Sequence, residues 1–177
     1  MAHKEQMDFV NNVKMSNIDL FNNVKVLEIG SYNINGSVRQ FFTNSSYIGL
    51  DVFPGNCVDV VCSGHLYEGQ NEEFDVTISC ECFEHNQHWL ETFENMYRMT
   101  KKDGLVVFTC ATTGRPEHGT ARTSPQDSLT TNILTMQDYY RNLQEVDFTS
   151  SFDFSKFSSY KFEVNTQTKD LYFWGIK

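Results

Sequence analysis

The stretch that most constrains this chain is Val24-Lys25-Val26-Leu27-Glu28-Ile29, which runs straight into Gly30-Ser31-Tyr32-Asn33-Ile34-Asn35-Gly36-Ser37 and then to Tyr47-Ile48-Gly49-Leu50-Asp51. An apolar strand, a glycine-containing turn, a helix and a second apolar strand ending in a carboxylate form the opening unit of a parallel α/β sheet. It is also how such a sheet builds a nucleoside pocket. Asp51 lies 21 positions after Gly30, a spacing at which an acid can meet a ribose diol. Gly30 lets backbone approach a ligand without a Cβ, Asn33 and Asn35 tolerate left-handed turn angles, and a helix start presents unpaired N–H groups.

Other properties narrow the setting. With 177 residues the chain has the length of one domain and can bury roughly 70% of its unfolded surface without disulfide staples. A net charge of −9, with lysines and arginines scattered, excludes the field that gathers nucleic acid. The five cysteines, Cys57, Cys62, Cys80, Cys82 and Cys110, are odd in number and lack metal-ligand spacing. They read as buried free thiols in a reducing compartment. No run reaches the ~20 apolar residues of a membrane span, and Met1 to Val10 is too polar for a signal peptide. These features predict a soluble cytoplasmic protein.

Periodicity orders the remaining elements. Residues 3 to 21 carry helical spacing with interruptions at Asn11-Asn12 and Ser16-Asn17, a helical cap in two short pieces. Strands are expected at Lys25–Ile29, Tyr47–Asp51, Asp59–Cys62, Phe74–Ser79 and Leu105–Cys110, with a short helix over Gly36–Phe42 that turns Val38, Phe41 and Phe42 to the sheet. A helix bearing Trp89, Leu90, Phe93, Met96 and Tyr97 as core follows the fourth strand, ending at Lys101-Lys102-Asp103-Gly104. Residues 111 to 132 turn polar and irregular, the composition of a functional or disordered loop. A helix near Met136–Leu143 and a closing antiparallel pair, Ser159–Val164 and Asp170–Ile176, complete the chain.

This order, with Val26-Leu27-Glu28-Ile29-Gly30, Asp51, Phe74-Asp75-Val76 to Glu84-His85 and Lys102-Asp103-Gly104-Leu105, resembles the class I S-adenosylmethionine-dependent methyltransferases over residues 24 to 177. The resemblance implies a Rossmann-like fold with a mostly parallel seven-stranded sheet, helices on both faces and an antiparallel last strand. It divides one domain into a cap (1–23), a nucleoside-binding core (24–110), an acceptor loop and helix (111–145) and a C-terminal hairpin (146–177). S-adenosylmethionine would be the cofactor, contacted by Glu28, Gly30, Ser31, Asn35, Gly36 and Cys80, with Asp51 on the ribose and Val52, Phe53, Gly64 and His65 around adenine. Tyr32 and Ile34 stand where that family has glycines, which implies a longer turn closing at Gly36. Asn35-Gly36-Ser37 with Arg115-Pro116-Glu117-His118-Gly119-Thr120 is similar to small methyltransferases associated with glycan modification.

Glu28 interrupts an apolar strand, and a buried acid needs a partner or a ligand. Glu84 and His85 match the family's dipeptide at the fourth-strand exit, and with His118 they are the catalytic candidates. A hydroxyl acceptor needs a base, for which neutral His85 or His118 is the natural residue. Arg115, Tyr139 and Tyr140 would form the acceptor wall, aromatics against a sugar face and Arg115 on a phosphate or carboxylate. No metal is expected, because Glu81, Glu84, His85 and His88 lack a recognisable ligand order. The expected acceptor is a small molecule or glycan, with O-methylation favoured and a monomer or homodimer as the working unit. Two other classes fit the first strands: a non-catalytic nucleoside-binding module and a nicotinamide-dependent enzyme, although the latter expects a tighter glycine turn.

Overall fold

A computed structural model describes residues 3–177, so Met1 and Ala2 of the expected cap lie outside the described residues. The strands are β1 (Lys25–Ile29), β2 (Ser46–Asp51), β3 (Val60–Val61), β4 (Phe74–Cys80), β5 (Thr100–Ala111), β6 (Ser159–Asn165) and β7 (Asp170–Ile176). They form one seven-stranded sheet in the order β3-β2-β1-β4-β5-β7-β6. The first five are parallel, β7 runs antiparallel to β5, and β6 pairs antiparallel with β7. Strand order reverses between β1 and β4, and ligands of such sheets sit outside the carboxyl ends of the strands at that crevice.

Both faces of the sheet are covered. On one, helix α2 (Trp89–Met99) sets Trp89, Phe93 and Met96 at helical spacing against Leu27, Ile29, Phe108 and Phe173. The short helix α3 (Glu145–Thr149) adds Phe148, whose ring stacks on Phe108 with centroids 4.5 Å apart. On the other face, helix α1 (Lys4–Ser16) inserts Val10 and Val13 against Val26, Val76, Ile78 and Val107. A 3-10 turn at Ile18–Phe21 follows it, so the cap comes in two pieces. Alternation along β5 sends Val106, Phe108 and Cys110 to the first face and Leu105 and Val107 to the second, the period-two rule of a strand buried on both sides.

Several expected boundaries move for local reasons. The helix expected over Gly36–Phe42 is only a four-residue 3-10 turn, Val38–Phe41, capped by the Ser37 hydroxyl. The preceding residues are spent in a turn tied to the end of β2, leaving no length for a full helix. The helix expected near Met136–Leu143 does not form. Its backbone groups dock across the fold instead, Arg141 N–H donating to Glu84 O and Leu143 N–H to Ala111 O, both at 2.9 Å. Helix α2 stops at Met99 rather than Gly104, with the Thr100 hydroxyl donating to Met96 O at 2.8 Å. Lys101–Gly104 then form an irregularity in β5, with Asp103 at φ 61°. All five cysteines are free, and only Cys110 is fully buried. Among the described residues no helix is long and apolar enough to cross a membrane.

Candidate functional site

The carboxyl ends of β1 and β2 are locked together by the turn between them. Gly30 and Ser31 both donate backbone N–H to Leu50 O at 2.9 Å. Gly30 has φ +79°, and a Cβ there would meet Cys82 Cβ at 2.6 Å, so glycine is required by backbone angle and by crowding. The turn closes where Gly36 N–H donates to Asn33 Oδ1 at 2.8 Å. Asp51 accepts from Tyr32 N–H at 3.1 Å and Phe53 N–H at 3.4 Å, one bond on each carboxylate oxygen. Each oxygen keeps a lone pair for a ligand. Burial raises the Asp51 pKa against these bonds.

Glu28 is buried beneath this turn and accepts from the Tyr47 hydroxyl at 2.8 Å. Burial pushes its pKa up to about 8, so the carboxyl is largely protonated at neutral pH. Arg39 lies over the Tyr47 ring, 4.4 Å from its centroid, and pairs with Asp59.

A cavity opens above these strand ends. Glu28, Gly30, Ser31, Asn35 and Gly36 form its β1 side. Asp51, Val52 and Gly64 line the β2 and β3 side, and Cys80 and His85 the β4 side. Phe53 and His65 do not line it. The His65 ring stacks on His88 at 4.0 Å and its Nδ1 hydrogen-bonds with the Ser63 hydroxyl at 2.9 Å. The irregular segment after β5 supplies a wall through Ser128, Leu129, Thr130 and Met136.

Beyond the β4 exit lies a second group. Glu84 is fully buried, His85 is 5% exposed, and neither carboxylate oxygen nor either ring nitrogen has a hydrogen-bond partner among the described residues. Burial raises the Glu84 pKa and lowers that of His85 to about 3, with His118 adding to the effect. The His118 ring meets His85 edge-on at 5.0 Å and Tyr140 at 5.0 Å. Burial also lowers the His118 pKa. Tyr140 brings to the group a buried hydroxyl with no partner among the described residues. Tyr139 is half-buried outside the cavity lining. Arg115 turns elsewhere, donating to Thr168 O at 2.6 Å and reaching Asp170 at 3.4 Å, a tie to the β6–β7 turn.

Gln6 was not anticipated from sequence, and Glu81 was considered there only as a metal ligand. Gln6, on α1, is fully buried, lines the cavity, and has neither side-chain amide atom partnered among the described residues. It falls four positions before Val10 and seven before Val13, so a polar residue in the helix's apolar stripe was the available signal. Glu81 holds φ +53°, unusual for a non-glycine, and strain of that kind gathers at functional sites. Its carboxylate is 3.8 Å from His3 Nε2, which also contacts Asp170 at 3.0 Å.

Residues 35–108 match the family described as a methyltransferase domain. That match covers less than half of the chain and is a likeness over that part of it. Solved structures agree on the fold. The Burkholderia thailandensis 1,6-didemethyltoxoflavin-N1-methyltransferase with bound S-adenosylhomocysteine is 13% identical, with TM-score 0.66, over 97% of this chain and 78% of that one. A SAM-dependent methyltransferase from Archaeoglobus fulgidus is 13% identical, with TM-score 0.62, covering 97% and 94%. Phosphoethanolamine N-methyltransferase 2 of Haemonchus contortus, in complex with S-adenosyl-L-methionine, is 15% identical with TM-score 0.61. That likeness covers 94% of this chain, which spans about half (52%) of the nematode enzyme. No curated protein sequence matches the chain.

Proposed function

We propose that this chain is a methyltransferase that binds S-adenosylmethionine in the cavity over β1 and β2 and methylates a hydroxyl of a small molecule or glycan. The carrying observation is the set of buried polar atoms without partners among the described residues on the cavity wall, the Gln6 amide and the Ser31 hydroxyl, beside the half-satisfied Asp51 carboxylate. Buried polar groups are nearly always hydrogen-bonded in a working state, so atoms left open in one cavity mark where a polar ligand belongs. Their chemistry fits the cofactor, with Asp51 accepting from ribose hydroxyls, Val52 and Gly64 offering an apolar slot for the base, and Ser31 and Gln6 meeting the amino-acid end.

Bound S-adenosylmethionine supplies an electrophilic methyl on a sulfonium centre. The chain's own contribution is alignment and exclusion of water. The segment carrying Ser128 to Met136 walls the cavity, and Glu84, His85, His118 and Tyr140 gather on its far side as the acceptor corner, where the hydroxyl is oriented and its proton accepted. His85, pushed toward its neutral form by burial, is available as an acceptor of hydrogen bonds. Free thiols and a net charge of −9 support the reading of a cytoplasmic enzyme that does not act on nucleic acid.

Calorimetry with S-adenosylhomocysteine tests the cofactor assignment. Wild type should bind, and Asp51→Ala should lose on the order of a hundredfold or more in affinity, because two charge-assisted hydrogen bonds disappear at roughly 1.5 to 3 kcal/mol each. A folded Asp51→Ala protein with unchanged affinity would remove Asp51 from the site.

A further inference from the structure

The geometry points to a divalent transition-metal site formed by Glu84, His85 and His118 in the acceptor corner. Each offers one ligand atom, and these atoms lie within 4.8 Å of one another. Two imidazoles and a carboxylate are a nitrogen-and-oxygen set suited to ions such as Zn²⁺, Mn²⁺, Fe²⁺ or Co²⁺ rather than the all-oxygen shells of Mg²⁺ and Ca²⁺. Metal–ligand bonds of about 2.0–2.2 Å need a modest contraction of the cluster. His118 can supply it, since it is the half-exposed member and sits on a loop.

Three independent details favour a site over an accidental cluster. The Glu84 carboxylate and both His85 nitrogens are buried with no hydrogen-bond partner among the described residues, which is costly unless something else occupies them. His118 Nδ1 lies 3.0 Å from Pro116 O. A carbonyl can only accept, so Nδ1 carries the hydrogen and Nε2 presents its lone pair, the outer-shell arrangement that orients metal-ligating histidines. The loop's approach is also built for contact: Gly119 has φ +62°, and a Cβ there would come within 2.7 Å of His85 Cε1.

The expectation of no metal rested on local spacing after β4, which cannot see His118 arriving from beyond β5. This inference rests on reading the corner as the acceptor side, and deepens it. An ion held by three protein ligands keeps open positions, which fit an acceptor bringing oxygen ligands, such as a hydroxyl with an oxygen neighbour.

The test uses chelator-treated full-length protein titrated with Co²⁺, read by visible absorption and calorimetry, with S-adenosylhomocysteine affinity measured in parallel. One equivalent should bind with the spectrum of nitrogen coordination. His118→Ala, on the exposed side, should weaken Co²⁺ binding at least tenfold, since losing even an outer partner of a metal ligand costs 10–100-fold. Glu84→Gln provides a second removal and should do the same. Both variants should hold S-adenosylhomocysteine within a few fold of wild type. Absence of the Co²⁺ spectrum, or unchanged Co²⁺ affinity in both variants, overturns the metal site. Co²⁺ binding without any S-adenosylhomocysteine binding would overturn the cofactor assignment and leave the metal site standing.

Discussion

Glu28→Gln should make the protein more stable at pH 8 and leave it nearly unchanged at pH 5. Glu28 is 4% exposed, with one hydrogen bond from Tyr47, and burial moves its pKa from 4.5 to about 8. Between those values the unfolded chain releases a proton that the folded chain keeps. The native state then binds more protons, and stability falls as pH rises. The contribution is fully present below pH 4.5 and is lost as pH passes through about 8. At 1.36 kcal/mol per tenfold the swing is on the order of 4 kcal/mol, an upper value because relaxation and water entry soften it. A neutral glutamine retains an acceptor for Tyr47 and has no proton to lose. The difference between variant and wild type therefore isolates this residue from every other titrating group. Urea unfolding without cofactor, at pH 5 and pH 8.5, gives that difference directly. Parallel pH profiles for the two proteins would refute the reasoning and show that Glu28 stays ionised in the native state.

Phe93→Ala should cost about 3–5 kcal/mol. The ring is fully buried among Phe108, Phe148, Phe152, Phe154 and Phe173, with centroids 5.1–5.9 Å away, and a denaturant midpoint implying under about 1 kcal/mol would contradict that packing. Gln6→Ala should weaken S-adenosylhomocysteine binding about tenfold, the worth of one good hydrogen bond. It should not lower thermal stability without ligand, because the amide it removes is buried and has no partner among the described residues. Full affinity in the variant would take α1 out of the cofactor site.

The central strands β1 and β4 were legible because each is a short apolar run buried on both faces, which leaves little room for another period. Lys25–Ile29 and Asp170–Ile176 fall where hydropathy puts them. Helices were legible only where an amphipathic stripe decides. Trp89, Phe93 and Met96 repeat at helical spacing and form α2. Met136 and Leu143 are also buried, yet the chain between them is not helical, because its backbone bonds to Glu84 O and Ala111 O replace the intrahelical ones. Periodicity cannot distinguish a helix from a segment that buries the same residues by docking on strand ends.

The two sides of the cavity differ in legibility for a related reason. Glu28, Gly30, Asn35, Gly36 and Asp51 sit on one strand-turn-strand unit, where chain order and spatial order coincide, and all five line the cavity. The acceptor corner has no such unit. Glu84 and His85 leave β4, His118 returns from the loop after β5, and Tyr140 arrives later still. Only tertiary contacts bring them together, held by the Arg141-to-Glu84 backbone bond and the close pass of Gly119 over His85. Arg115 shows the converse. Its charge suggested an anion anchor, but the fold commits it to Thr168 O and Asp170, at the far end of the closing hairpin. A charged residue in a polar loop has many partners available within its reach, and sequence alone carries no term that ranks a backbone carbonyl of the same chain against a substrate phosphate.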